Sequence, residues 1–335
     1  MNARQRLLAV LNREPVDRVP IWLLFPYHRT SYYVDVREHP QYRKIFEHSQ
    51  NRCVMLNRRN LRHVPFFAPD VVERTETVPL AGGGSESRTT VTWNGRTLTA
   101  FHRQAAGETR IKKLVDNEDD LEFFCSLPVV TDAATISRAL DAALPAYFAE
   151  REEFPLEYGA MMLDLGEPVG VLYGRSNLEE YAIWSLTQSD RVEAYFRKLQ
   201  ERFLNIYRYT LERDLADVYF MVGSELASPP LVSRDTFQRW IVPFAKELVD
   251  LVHSYGKKVI QHYHGQIREI LPDFLTMGAD ALHTIEAAFL NGQEMPTVER
   301  AEVNFDELGI QFRGWIDFGV AMGEPRAAQM SKGAA

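Results

Sequence analysis

Two histidines separated by a single residue, His262 and His264, are the first feature of this sequence that could do chemistry. On an extended chain, residues i and i+2 point to the same side, so both imidazoles can face one cavity with Tyr263 turned away. Converging imidazoles suit a metal ion, an anion or general acid–base work. The plainer alternative is a histidine that caps the following helix beside another on a polar rim. Polar groups recur at comparable places. His283 and Glu286 lie in ALHTIE, Glu225 closes DVYFMVGSE, and Tyr27, His28 and Arg29 follow the apolar run VPIWLLF. The candidates for chemistry are therefore Tyr27, His28, Arg29, Glu225, His262, His264, His283 and Glu286.

These side chains need elements to carry them. Residues 257–262 are rich in β-branched types, 266–277 place Ile267, Ile270, Leu271, Phe274 and Leu275 at helical spacing, and Gly278-Ala279-Asp280 turns the chain into 281–285. A strand, a crossover helix and a strand of this length form a parallel βαβ unit. The junctions Leu215-Ala216-Asp217-Val218 and Gly278-Ala279-Asp280-Ala281 look alike, and each introduces a strand ending in a glutamate. That quasi-repeat favours a (β/α) barrel, whose chemistry sits at the carboxyl ends of its strands. Strands are also expected over 19–25, 156–162 and 217–222. Helices are expected over 2–12, 42–56, 117–126, 133–150, 178–186, 191–213 and 235–255, the last capped by Ser233. Residues 70–114 alternate polar and apolar types, with Gly82-Gly83-Gly84 and Asn94-Gly95 as turns, and read as an antiparallel insert. The glycine run lacks the lysine and following helix of a phosphate loop.

The totals narrow the function. A chain of 335 residues with 45% apolar content can build one large α/β domain. A net charge of −8 argues against nucleic acid or an anionic membrane surface as the main partner. Two cysteines exclude a disulfide framework and an all-cysteine zinc site, and suit a reducing cytoplasm. The opening helix carries charges throughout, unlike a signal peptide, and no apolar run approaches the ~18 residues of a membrane span. The expected location is cytoplasmic.

Four segments in order resemble the uroporphyrinogen decarboxylase superfamily, which includes the zinc-dependent methyltransferases acting on methylated corrinoid proteins. They are RLLAVLNREPVDRVPIW, LADVYFMVGSELASPPLVSRDTF, PFAKELVDLVHSYGKKVIQHYHG and FLTMGADALHTIE, and the resemblance runs to Glu286. True decarboxylases of this family carry Arg-Gln-Ala-Gly-Arg-Tyr after the first strand, and only the second arginine has a counterpart here, Arg29. The methyltransferase branch carries His-x-Cys-Gly and a later cysteine as zinc ligands. Here the run is His262-Tyr263-His264-Gly265 with no later cysteine, so Glu225 or Glu286 would supply the third ligand.

The resemblance implies a TIM (β/α)8-like barrel as one domain over 1–335, with the β-hairpin insert at 70–114 and a divergent tail at 291–335. The apolar pattern fades along that tail, which predicts a barrel incomplete at its carboxyl terminus. The implied activity is zinc-dependent transfer of a methyl group from a corrinoid, carried by a partner protein, to a small thiol. Two alternatives stand beside it. In a cofactor-free decarboxylase of porphyrin biosynthesis, Arg29 would hold a carboxylate while His264 or Tyr27 handled the proton. The other alternative is a non-catalytic binding protein that kept the barrel and lost part of its site.

Overall fold

The computed structural model describes residues 1–283 apart from 24–25, 31–34, 62–63, 106 and 264–266. Among the sequence-derived candidates, His264 and Glu286 lie outside the described residues, as do the tail 291–335 and the expected end of the barrel.

Helix α1 (Ala3–Leu11) starts at Asn2, whose side chain accepts the Gln5 N–H at 2.8 Å while the Gln5 side chain accepts the Asn2 N–H at 2.9 Å. This reciprocal pairing satisfies two otherwise orphaned donors. Helix α2 (Pro40–Ser49) ends well before the limit expected from the sequence. Asn51 takes a left-handed φ of 55°, and the chain leaves as strand β1 (Met55–Arg59). The helix expected over 42–56 is thus corrected to a helix, a turn and the start of a strand. The two arginines of MLNRR disguised the strand, because both are satisfied by ion pairs: Arg58 with Asp164, and Arg59 with Glu150 at 2.6 Å.

The insert is an antiparallel sheet of β2 (Val72–Pro79), β3 (Ser85–Trp93), β4 (Arg96–Ala105) and β5 (Glu108–Lys112) in that order. Asn94 and Gly95, at φ 47° and 78°, make the two-residue turn between β3 and β4. Positive φ at both positions matches the right-handed twist of the flanking strands. Val91 and Leu98 pair across the strands and are both buried.

Helices α3 (Glu118–Ser126), α4 (Ala133–Asp141) and α5 (Leu144–Glu153) follow. The single helix expected over 133–150 is broken ahead of Pro145. Next come β6 (Gly159–Asp164), α6 (Pro168–Tyr173), α7 (Leu178–Thr187), the long α8 (Ser189–Glu212) and β7 (Val218–Met221). Two helices, α9 (Arg234–Trp240) and α10 (Val242–Ser254), replace the one expected over 235–255, with Pro243 in the first turn of the second. Ser233 caps α9 as expected, accepting the Thr236 N–H at 3.1 Å. Strand β8 (Lys258–His262), a 3₁₀ turn, α11 (Leu271–Met277) and β9 (Ala281–His283) complete the described chain.

Strands β1, β6, β7, β8 and β9 form one parallel sheet, in sequence order. Sequential order with intervening helices is the wiring of a TIM-type barrel. Trp22 adds a parallel bridge to Val54, on the open side of β1. Its ring nevertheless lies 4.7 Å from that of His283, on β9 at the other edge of the sheet. The sheet therefore curls until its two edges face one another.

Alternation along the strands divides the core in two. Leu56, Ala160, Met162, Val218, Phe220 and Ile260 point into the curl and pack with Ala3, Leu7 and Leu11 of α1 and with Trp22 and Val54. Met161, Leu163, Tyr219, Met221, Val259 and Tyr263 point outward to the larger cluster shared with the helices. Helix α1 plugs the amino end of the curl. Arg4 donates to the Gly159 carbonyl at 3.0 Å and to both oxygens of Asp217 at 2.7 and 2.9 Å. Arg202 of α8 pins the segment after β1, donating to the carbonyls of Val64 at 3.1 Å and of Pro65 and Val130 at 2.8 Å each.

Candidate active site at the carboxyl ends of the strands

The parallel register fixes which side chains share the inner face. Asp164 pairs with Phe220, Phe220 with Ile260, Ile260 with Ala281, and His262 with His283. Arg58 lies two residues beyond the inward Leu56, so it shares that face. With the amino end plugged by α1, the carboxyl ends form the mouth.

Phe220 is the floor of this mouth. The Arg58 guanidinium carbon stands 4.9 Å from its ring centroid, and the rings of His262, His283 and Trp22 stand 5.5, 5.3 and 6.0 Å away. Arg58 is fixed by Asp164, which accepts its Nε–H at 3.1 Å and a second bond from Nη2. The two imidazoles are stacked with centroids 4.8 Å apart, and Nδ1 lies 2.6 Å from Nδ1. The mouth thus joins a charge-balanced guanidinium, two coupled imidazoles and an aromatic floor.

Beside it lies a second polar group, buried between the loops after β6 and β7. Glu167 is 3% exposed, and its Oε1 accepts the Ser224 hydroxyl at 2.6 Å. Burial, with Glu225 and Asp164 nearby, pushes its carboxyl up to about 7 against the opposing effect of Ser224. Gly223 takes φ 142°, a backbone conformation that favours glycine, where the loop after β7 passes the Glu167 side chain. The Gly223 N–H donates to Glu225 Oε2 at 2.9 Å, so Glu225 folds back over its own turn.

The candidates from sequence separate on this frame. His262 and His283 are brought together, on neighbouring strands. Tyr263 is turned away into the outer core, as the i, i+2 argument requires. His28 is tied to the outer side of β1: its N–H donates to Asn57 Oδ1 at 3.0 Å, its Nδ1 meets Asn57 Nδ2 at 3.0 Å, and its Nε2 meets Glu153 at 3.1 Å. Tyr27 packs edge-on to Phe46 and Phe154 beneath the Arg37 guanidinium, again in the outer layer. Arg29 is exposed, and its carbonyl accepts from Arg59 at 3.1 Å. Arg58, Asp164, Phe220, Trp22 and Glu167 were not among the candidates. Strand parity was the available signal for the first three, each two residues past an inward apolar residue.

Residues 170–303 match the family model described as uroporphyrinogen decarboxylase (URO-D). Over this stretch, about two fifths of its length, the chain is similar to that family. The matched residues include β7, β8 and β9, and so Phe220, His262 and His283. A methyltransferase from Methanosarcina mazei is similar in structure, with 16% identity and a TM-score of 0.45 over 84% of this chain and 75% of that one. A substrate-liganded L-Ala-D/L-Glu epimerase from Bacillus subtilis is a more distant likeness, with 7% identity and a TM-score of 0.16 over 65% and 89%. No curated protein matches the sequence. Among the described residues, no helix is long and apolar enough to cross a membrane, and no three His, Cys, Asp or Glu side chains gather as a metal site.

Proposed function

We propose that this chain is a methyltransferase of the uroporphyrinogen decarboxylase superfamily that works at the mouth defined by Phe220, moving a methyl group from a corrinoid carried by a partner protein to a thiol. The observation that carries the reading is the His262–His283 pair, with Nδ1 atoms 2.6 Å apart, at the carboxyl ends of adjacent inner-face strands. An imidazole at that place is able to serve as a zinc ligand. His262 and His264 would hold the metal, with Glu225 from the neighbouring loop. Zinc bound there would supply Lewis acidity that lowers the pKa of an acceptor thiol. The chain's own residues prepare the mouth: Asp164 holds Arg58 in one place, Phe220 and Trp22 give a floor that excludes water, and α1 seals the opposite end.

The test is elemental analysis of the purified, metal-loaded protein, with consumption of a methylated corrinoid in the presence of small thiols. The expected result is close to one zinc per chain, lost in His262→Ala together with methyl transfer. Zinc content that survives in His262→Ala would sink the assignment. One observation favours a second reading. Arg58 in the mouth is a planar cation able to hold a carboxylate, as a carboxy-lyase would need. Release of carbon dioxide from a porphyrinogen by the metal-free protein would decide for it.

A further inference from the structure

Strand β2 lies at one edge of the insert sheet, and all eight of its residues are exposed. A long edge offers a row of unpaired N–H and C=O groups, and proteins usually blunt such edges with a bulge, a lysine or an early proline. Strand β2 has none of these before Pro79: its register with β3 runs unbroken from Val72–Thr92 to Pro79–Ser85. The hairpin shows which groups are free. Leu80 continues the register and donates its N–H to the Gly84 carbonyl at 3.1 Å, so the even-numbered residues of β2 bond to β3. The odd-numbered Glu73, Thr75 and Thr77 turn their N–H and C=O to the open side.

The edge reads Val-Glu-Arg-Thr-Glu-Thr-Val over 72–78, a pattern that complements itself about Thr75. Laid antiparallel on a second copy, with Thr75 opposite Thr75, it sets Arg74 against Glu76 twice and Val72 against Val78 twice, all on one face. Glu73 and Thr77 meet on the other face. Because Thr75 bonds outward, the two-fold passes through a hydrogen-bonded pair, and three such pairs give about six main-chain bonds. Moving the centre by one residue sets Arg74 on Arg74 or Glu76 on Glu76, like charges directly opposed. Among the described residues, neither Arg74 nor Glu76 has an ion pair within its own chain, and Arg88, opposite Glu76, is held by Glu86 at 2.6 Å. Val72 and Val78 are each 44% exposed, open to the same packing.

We propose that two copies of this chain associate through β2, antiparallel and edge to edge about Thr75, joining two four-stranded sheets into one of eight strands. The same strand serves on both sides, so the assembly closes at two copies. One strand pair buries little surface, which makes the dimer a weak one with a micromolar dissociation constant.

Sedimentation equilibrium of the full chain tests this, with circular dichroism of each variant confirming the fold. The parent is expected to pass from monomer to dimer between about 1 and 100 μM. Arg74→Glu opposes like charges twice and should weaken the dimer about 10- to 100-fold, as should Glu76→Arg. The double variant Arg74→Glu with Glu76→Arg exchanges the charges and should return to the parent value. The two single variants, mixed, should pair with each other more tightly than either does with itself. Thr75→Pro removes the outward N–H at the two-fold without touching the bonds to β3, and should abolish the dimer. A parent that stays monomeric at about 100 μM overturns the proposal. A dimer indifferent to the charge reversals lies on another face and overturns it as well, as does a double variant no tighter than the singles. Growth beyond two copies marks pairing of β2 with β5 and likewise defeats it.

Discussion

Ser224 donates its hydroxyl to Glu167 Oε1 at 2.6 Å, and that bond ties the loop after β6 to the loop after β7. The carboxyl it reaches is buried and ionises only at about 7 in the folded protein, against 4.5 ordinarily. Between these values the native state holds a proton that the unfolded chain lacks, so stability falls as pH rises through the window. The full loss, about 3 kcal/mol, is felt above pH 7. Other carboxylates here are shifted the opposite way, Asp280 among them. The quantity to follow is therefore the difference between the parent and Glu167→Gln in urea unfolding at pH 5 and pH 8. Gln keeps an acceptor for Ser224 and cannot ionise, so the variant should gain on the parent as pH rises. A difference that stays constant with pH would show that Glu167 does not titrate in this range.

The ion pair of the mouth should behave as a unit. The Asp164 side chain is 9% exposed and the Arg58 side chain 17%. Arg58→Met leaves a carboxylate in the interior without its cation and should cost about 3 kcal/mol. Arg58→Met with Asp164→Leu removes both charges and should be the more stable of the two variants. Thermal unfolding of the single and double variants checks this, and additive losses would refute the coupling.

Asn57 is fully buried and holds His28 by its backbone N–H and its ring. Asn57→Leu leaves both groups unpaired in the interior, a loss of about 2 kcal/mol. Because these bonds lie on the outer face of β1, zinc affinity should stay at the parent value. A variant that unfolds like the parent but loses zinc would move His28 into the site.

Arg202 satisfies three backbone carbonyls while its guanidinium packs 5.3 Å from the Phe66 ring, and burial lowers its pKa to about 10. Arg202→Lys keeps the charge but cannot reach three acceptors from one ammonium. The expected loss is about 3 kcal/mol in denaturant unfolding, from carbonyls left without donors. Parent-like stability would mean that water replaces the guanidinium at all three.

The parallel βαβ units were legible because their strands are apolar on both faces and their junctions repeat; β7, β8 and β9 fall within a residue or two of where the periodicity puts them. The insert was legible from Asn94-Gly95. Strand β1 was not, since Arg58 and Arg59 look like helix surface until Asp164 and Glu150, 106 and 91 residues on, are seen to neutralise them. Helix breaks at Pro145 and Pro243 were overlooked because the apolar spacing continues across them. At the site, the histidine on β8 could be read from local spacing. Its partner could be named but not placed, since only the register of β8 and β9 brings the two rings together. Tyr27 and His28 were drawn toward the mouth by their position after an apolar run, when their partners on α2, α5 and β1 hold them outside it.

The contact between Trp22 and His283 has a consequence for synthesis. Trp22 leaves the ribosome early, and the residue its ring leans on is translated near the end of the described chain. Until then the curl has no far wall, and the inner faces of β1, β6 and β7 are open to water or to another nascent chain. Helix α1 and Trp22 can shield the amino end as soon as β6 is made, but the mouth itself is finished only when β9 docks. Contacts so distant in sequence close slowly. The growing polypeptide therefore carries an exposed sheet edge for most of its elongation, the condition in which chaperone capture competes with aggregation.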